Sequence, residues 1–296
     1  MAEENLIETR GLRKTYDGIE ALRGLDLAVP RGSICGFLGR NGAGKTTTLK
    51  ILLGMTHPTS GEARVFGLEA GSVAIRERCA FVSEEKDLYP SMTVGDTVRF
   101  TASFFPRWRR DLEQPYLRAF DLPPARRVKA LSRGMRTKLA LLLALCRGAE
   151  LLILDEPTSG LDPAVAEDVL QALVRHVAGE ELTIFFSSHQ IAEVDQISDR
   201  VVIIHRGRTV VEGALDELRE QYRRIQLTFE NAPPEIAFRS PGVTRVERDG
   251  RVVSVLSSAG ADAIADEARA LGATSVDVLP VSLKELFLEV VTTEGD

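Results

Sequence analysis

The chain has 296 residues, 44% of them hydrophobic, and a formal net charge of −6. That length suits one large and one small domain better than a single one, and the apolar content is enough for ordinary cores. The acidic balance excludes a general nucleic-acid binder, which would carry a basic face. Cys35, Cys79 and Cys146 are far apart and lack metal-site spacing, which fits a reducing compartment. The opening MAEENLIETR has no basic run followed by an apolar stretch, so no secretory signal is expected. The longest apolar run, Leu139 to Cys146, is too short to cross a bilayer.

In chain order, LIETRGLRKTY, ALRGLDLAV and SICGFLG read as strands, the last leading into GRNGAGKT and a helix over TTLKILLGM. GEARVFG and CAFVS are again strand-like. Residues 90–147 change character: PSMTVGDTVRFTASFFPRW, LEQPYLRAF and MRTKLALLLALC carry helical patterns. ELLILDEP is a continuous apolar run of the kind buried parallel strands use. AVAEDVLQALVRHVA predicts an amphipathic helix (164–178), ELTIFFSSH a buried strand (181–189), and IAEVDQIS a helix. RVVIIHRGRTVVEG predicts two strands turning at Arg206-Gly207. The alternation predicts a mainly parallel α/β sheet with an all-helical insertion at about 90–147.

Past about Gln221 the texture changes. QLTFE, VTRVERDGRVVSVL with its Asp249-Gly250 turn, ADAIADEARALG, SVDVL and SLKELFLEVV predict a small α+β unit. Ser282 and Glu285 form a capping box for the last helix. The division expected is 1–220 and 221–296. No catalytic motif lies in the second part, which reads as a docking or dimerisation module.

Chemistry concentrates in the first part. Gly39-Arg40-Asn41-Gly42-Ala43-Gly44-Lys45-Thr46 fits G-x-x-x-x-G-K-[ST] between a strand and a helix. Its backbone N–H groups can cradle phosphate oxygens, helped by the positive helix end. Lys45 can reach β- and γ-phosphates, and the Thr46 hydroxyl can ligate Mg²⁺. Leu151-Leu152-Ile153-Leu154-Asp155-Glu156 ends a buried strand in two carboxylates, at the edge where α/β sheets bind ligands. Asp155 can help hold Mg²⁺ through its water shell, and Glu156 can polarise an attacking water. In KALSRGMRTKLALLLAL, Ser132 reads as the N-cap of a core helix. Gly134 so near the first turn costs helix stability, which points to a close approach to the backbone.

With Ser159-Gly160-Leu161-Asp162 and His189 after FFSS, this ordered set resembles the ATP-binding cassette (ABC) family over about residues 5–220. The resemblance implies a P-loop cassette with a mainly parallel core, an antiparallel β subdomain and a helical insertion, followed by the small α+β domain. It implies ATP binding by Tyr16, stacking on adenine, and by Gly39, Arg40, Asn41, Gly42, Ala43, Gly44, Lys45, Thr46 and Thr47. Leu131 to Met135, LSRGM, resembles the family signature, with Arg133 and Met135 at positions where the usual form has glycine and glutamine. Ser132, Gly134 and Asp162 would then serve the ATP of a second cassette. Catalysis falls to Glu156, Lys45 and the switch histidine His189. Thr46, Asp155 and Glu84, which stands where the family has the Q-loop glutamine, fall to Mg²⁺; Glu85 is a neighbouring candidate for the Q-loop position. Tyr16 also reads as an ordinary half-exposed strand residue, and Trp108 as either a partner-facing anchor or a packing residue.

The function implied is ATP hydrolysis that powers a separate membrane permease, an exporter, by two copies, or one copy and a paralogue, closing on two ATP molecules. Such a subunit is cytoplasmic and peripheral on the inner face of the membrane, with no nucleic-acid partner. The alternative is a soluble ABC ATPase acting on ribosomes or DNA. Relatives of that kind carry two cassettes or long coiled coils, and neither is present. A nucleotide-gated scaffold without turnover is a third reading, disfavoured by Glu156 and His189.

Overall fold

The computed structural model describes residues 4–177, 182–233, 238–240 and 242–293. Ala178 and Glu181, at the end of one predicted helix and the start of one predicted strand, lie outside the described residues. The chain divides into two compact units between Glu212 and Gly213.

The first unit opens with the long strands β1 (Asn5–Tyr16) and β2 (Ile19–Pro30), joined by a tight turn in which Asp17 and Gly18 both take positive φ. Next come β3 (Ile34–Leu38), α1 (Lys45–Leu52), β4 (Ser60–Val65), β5 (Leu68–Glu69), α2 (Val73–Arg78) and β6 (Cys79–Val82). The helical insertion follows as α3 (Val94–Ala102), α4 (Arg110–Ala119), a 3₁₀ turn at Val128–Ala130 and α5 (Arg133–Leu145). The unit finishes with β7 (Leu151–Asp155), α6 (Pro163–Val177), β8 (Thr183–Ser188), α7 (Ile191–Ile197), β9 (Arg200–His205) and β10 (Arg208–Ala214), the last crossing into the second unit.

Two sheets organise this unit. The first, in order β2-β1-β4-β5, is antiparallel. The second runs β10-β9-β3-β8-β7-β6, with parallel pairing from β9 through β6. Strands β3, β7 and β8 are buried at every position, as their unbroken apolar runs require. Phe37, Ile153, Phe185 and Val202 of the parallel sheet share one core with Leu49 of α1 and with Leu12, Leu25 and Val65 of the antiparallel sheet. α1 therefore lies between the sheets, with its N-terminus at the carboxyl end of β3. The three cysteines are free and buried. Burial raises all three thiols, pushing Cys79 and Cys146 up to about 12, so they stay protonated packing residues.

The second unit contains α8 (Leu215–Gln221), β11 (Arg223–Thr228), β12 (Val243–Asp249), β13 (Val252–Ser257), α9 (Ala261–Ala270), β14 (Ser275–Pro280) and α10 (Leu283–Thr293). Its antiparallel sheet has the order β12-β13-β11-β14. Ile225, Leu227, Val253 and Val255 pack one face against Ile264 and Ala268 of α9. Ser282 and Glu285 exchange cap hydrogen bonds at the start of α10.

Candidate active site

The loop from Gly39 to Gly44 joins β3 to α1. A Cβ on Gly39 would come within 2.7 Å of the Ile204 carbonyl oxygen, and one on Gly44 within 2.8 Å of that of Ala21. Gly42 and Gly44 also take φ of 80° and 111°. Close packing and left-handed backbone thus demand glycine here, as the motif spacing implies. The Lys45 ammonium folds back over the loop and donates to the carbonyls of Gly39 at 2.8 Å and Arg40 at 3.4 Å.

Glu156 follows β7 with φ 46°, an uncommon conformation for a non-glycine residue and one that collects at functional positions. Its Oε1 lies 3.1 Å from the Lys45 ammonium. The pair is in charge contact, yet Oε1 is buried without an aligned hydrogen bond. Its Oε2 lies 2.7 Å from Nδ1 of His189. A cation and an imidazole therefore hold one buried carboxylate between them, beside the phosphate-type loop.

A cavity of about 440 Å³ opens at this cluster. Asn41, Gly42, Gly44, Lys45, Thr46, Thr47, Glu84, Glu156 and His189 line it. Gly39, Arg40 and Ala43 form the loop without lining the cavity: the first two supply carbonyls to Lys45, and the Ala43 amide donates to the Arg40 carbonyl at 3.1 Å. Asp155 is set back and accepts from the Ser187 hydroxyl at 2.6 Å. Tyr16 does not line the cavity; it is 41% exposed at the end of β1, with the Lys14 ammonium 4.7 Å from its ring centroid.

Ser132, Gly134 and Asp162 do not line the cavity either. Ser132 caps α5 by accepting from the Met135 amide at 3.2 Å, and Asp162 accepts from the Val165 amide at 3.1 Å. A Cβ on Gly134 would meet Val165 Cγ1 at 2.9 Å, so packing of α5 on α6 already accounts for a glycine here. Arg133 lays its guanidinium over Gly160, where an added Cβ would meet it at 2.5 Å.

Ala21 and Ser187 escape motif reading, and Ser159 was read as part of a motif without a role of its own. Ala21 and Ser159 line the cavity, and the Ser159 hydroxyl donates to Glu84 Oε1 at 3.1 Å. Ser187 donates to Asp155 and accepts from the Glu156 amide at 3.0 Å. The signal for Ser187 is a polar pair ending an apolar strand, but its partner is set by the register that places it opposite Asp155. Of the two Q-loop candidates, Glu84 lines the cavity and Glu85 does not. Behind them, burial pulls the Lys86 ammonium down to about 8, with Arg133 adding to the effect and Glu84 and Asp155 opposing it.

A family profile described as ABC transporter matches residues 22–159, and one described as the C-terminal domain of DrrA1-3-like ATP-binding proteins matches 213–291. An AAA-domain profile also matches residues 124–195. The chain is 28% identical to the ABC transporter ATP-binding protein YtrB of Bacillus subtilis, over 96% of this chain and 97% of that protein. It is 36% identical to the bacitracin transport ATP-binding protein BcrA of Bacillus licheniformis, over 76% of each. A solved ATP-binding subunit of an ABC transporter superposes with a TM-score of 0.66 at 30% identity, covering 73% of this chain and 92% of that one. The loop, the carboxylate strand and these matches lead to one conclusion: the chain belongs to the ATP-binding, ATP-hydrolysing subunits of ABC transporters and carries a DrrA-type C-terminal domain.

Proposed function

We propose that the chain hydrolyses ATP at the Lys45–Glu156–His189 cluster to power a separate membrane-embedded exporter. The observation that carries the reading is the buried Glu156 carboxylate, held by Lys45 and His189 at the mouth of the loop. Lys45 leaves its carbonyls for the β- and γ-phosphates, and loop amides take the remaining phosphate oxygens. Glu156 then loses its cationic neighbour to the substrate and accepts a proton from the attacking water. His189 keeps that carboxylate oriented and donates toward the γ-phosphate.

The donor set suits Mg²⁺, a hard cation that takes oxygen ligands and keeps several waters. Thr46 and Glu84 line the cavity, while Asp155, fixed by Ser187, stands where it can act through water. Among the described residues no cage of three or more His, Cys, Asp or Glu side chains is gathered, in keeping with a cation completed by phosphate and water. When bound, Mg²⁺ would neutralise charge on the transferring phosphoryl group.

The exporter reading draws on similarity to BcrA, whose name specifies bacitracin transport. Among the described residues no helix is long and apolar enough to cross a membrane; the separate membrane partner is inferred from the likeness to transport ATP-binding proteins. Tyr89, Phe100 and Phe104 form an exposed edge-to-face aromatic row on and beside α3, an apolar surface suited to that partner on the inner face of the membrane. Two cassettes closing face to face would bring Ser132, Gly134 and Asp162 of one to the ATP of the other. The small α+β unit is an accessory docking module in this reading.

Glu156→Gln tests the reading. The amide keeps the shape but is a far weaker proton acceptor, so turnover should fall by about 100-fold or more with ATP affinity retained. Wild-type turnover in this variant would remove Glu156 from the reaction.

A further inference from the structure

Strand β6 ends at Val82, and the chain leaves the sheet through a turn at residues 83–87. Two side chains close that turn, Lys86 and Ser83. The Lys86 ammonium reaches back and donates to the carbonyls of Ser83 at 2.5 Å and Glu84 at 3.0 Å. The Ser83 hydroxyl donates to the Glu85 carbonyl across the same turn. From this backbone Glu84 enters the active-site cavity and meets Ser159.

The other side of Lys86 faces a second cavity of about 240 Å³. Thr101 of α3, Leu143 and Ala144 of α5, and Phe105 wall that cavity. The helical insertion and the active site thus meet at a turn only a few residues long. An ammonium on a flexible stem has three donors, enough to hold two carbonyls together.

We propose that Lys86 is a positioning residue for ATP hydrolysis: by clasping the Ser83 and Glu84 carbonyls it fixes the approach of Glu84 to the active site, and it ties that approach to the cavity against the helical insertion. This rests on the reading of Glu84 as an active-site carboxylate. Lys86 does not line the active-site cavity. Its effect must pass through Glu84 and be lost when Glu84 is truncated.

The test is a cycle of Lys86→Met, Glu84→Ala and the double variant, with Lys86→Arg as the conservative control. Methionine keeps most of the side-chain length and removes the donors; arginine keeps charge and donors. In Lys86→Met, kcat should fall about tenfold, while ATP affinity by equilibrium titration changes by less than about threefold. Amide hydrogen exchange over residues 83–88 should quicken in Lys86→Met and stay near wild type in Lys86→Arg, which should also recover most of kcat. Added to Glu84→Ala, Lys86→Met should cost nothing further. Losses that multiply in the double variant would overturn the proposal, as would wild-type kcat or unchanged exchange in Lys86→Met. Wild-type kcat in Glu84→Ala alone would instead overturn the reading of Glu84 itself, and the proposal with it.

Discussion

Ser187 shows how much of the site depends on a residue with no chemistry of its own. Its hydroxyl is fully buried, donating to Asp155 at the end of β7 and accepting from the backbone of Glu156 just after it. Ser187→Ala leaves a buried carboxylate oxygen and a buried amide each without that partner. Losses of this type cost about 1–3 kcal/mol, more where a charge is involved. The variant should therefore unfold at lower urea concentration, with turnover reduced more than ATP affinity. An unchanged unfolding midpoint would show that other groups satisfy both atoms. Lys45, Glu156 and His189 were legible in the sequence because each sits in or beside a contiguous pattern tied to a strand end. Ser187 was not, because pairing register between β7 and β8 leaves no local mark. Tyr16 is a different case: the family resemblance implied adenine stacking, and the ring stands exposed at the end of β1, beside Lys14.

At the scale of elements, the start of β7 is pinned by Glu150. Its carboxylate takes a two-pronged contact from Arg78 at 2.8 and 2.7 Å, with Arg31 and Arg107 each at 3.5 Å. Its backbone donates to the Arg78 carbonyl and accepts from Thr183, which fixes the end of α2 and the entry to β8. The hydrogen bonds from Arg78, more than any other cause, hold the Glu150 carboxyl down at about 2, against an ordinary value near 4.5. A carboxyl lowered by folding stabilises the fold fully above its unfolded value, and that contribution fades as pH drops through the folded one. Glu150→Gln should thus cost about 1–2 kcal/mol at neutral pH, after discounting for solvent screening. The difference from wild type should shrink between pH 4.5 and 2, read from denaturant unfolding at several pH values. A gap that stays constant with pH would mean that the pair contributes through packing alone. Hydrophobic period made most elements legible, including α3 and α5. It passed over α8, whose LDELREQ buries only Leu215 and Leu218. It gave no spatial strand order, since the crossovers that put β3 between β8 and β9 act over distances that local patterns do not record.

For the whole molecule, the texture change near Gln221 follows the boundary between compact units at Glu212/Gly213 by about one short helix, because α8 reads like any charged surface helix. Beyond the single chain, the question is what Ser132 serves. Within its own subunit it is an exposed N-cap, and it does not line the subunit's own ATP cavity. If two cassettes pair across their ATP sites, Ser132→Arg should block closure while leaving ATP binding by the separate subunit intact. Loss of the cap costs only about 1 kcal/mol, so the variant should stay folded. Lys45→Ala damages the other half of the same composite site. In a hybrid of the two variants, the Lys45→Ala and Ser132→Arg lesions share one site, and the second site keeps both Lys45 and Ser132. Random mixing makes half of the dimers hybrids with one whole site each, so ATPase activity should return to about a quarter of wild type if single sites turn over independently. Either variant alone should stay nearly inactive. Normal turnover by purified Ser132→Arg would mean that LSRGM only starts a helix, and that the second cassette finds its phosphate contacts elsewhere.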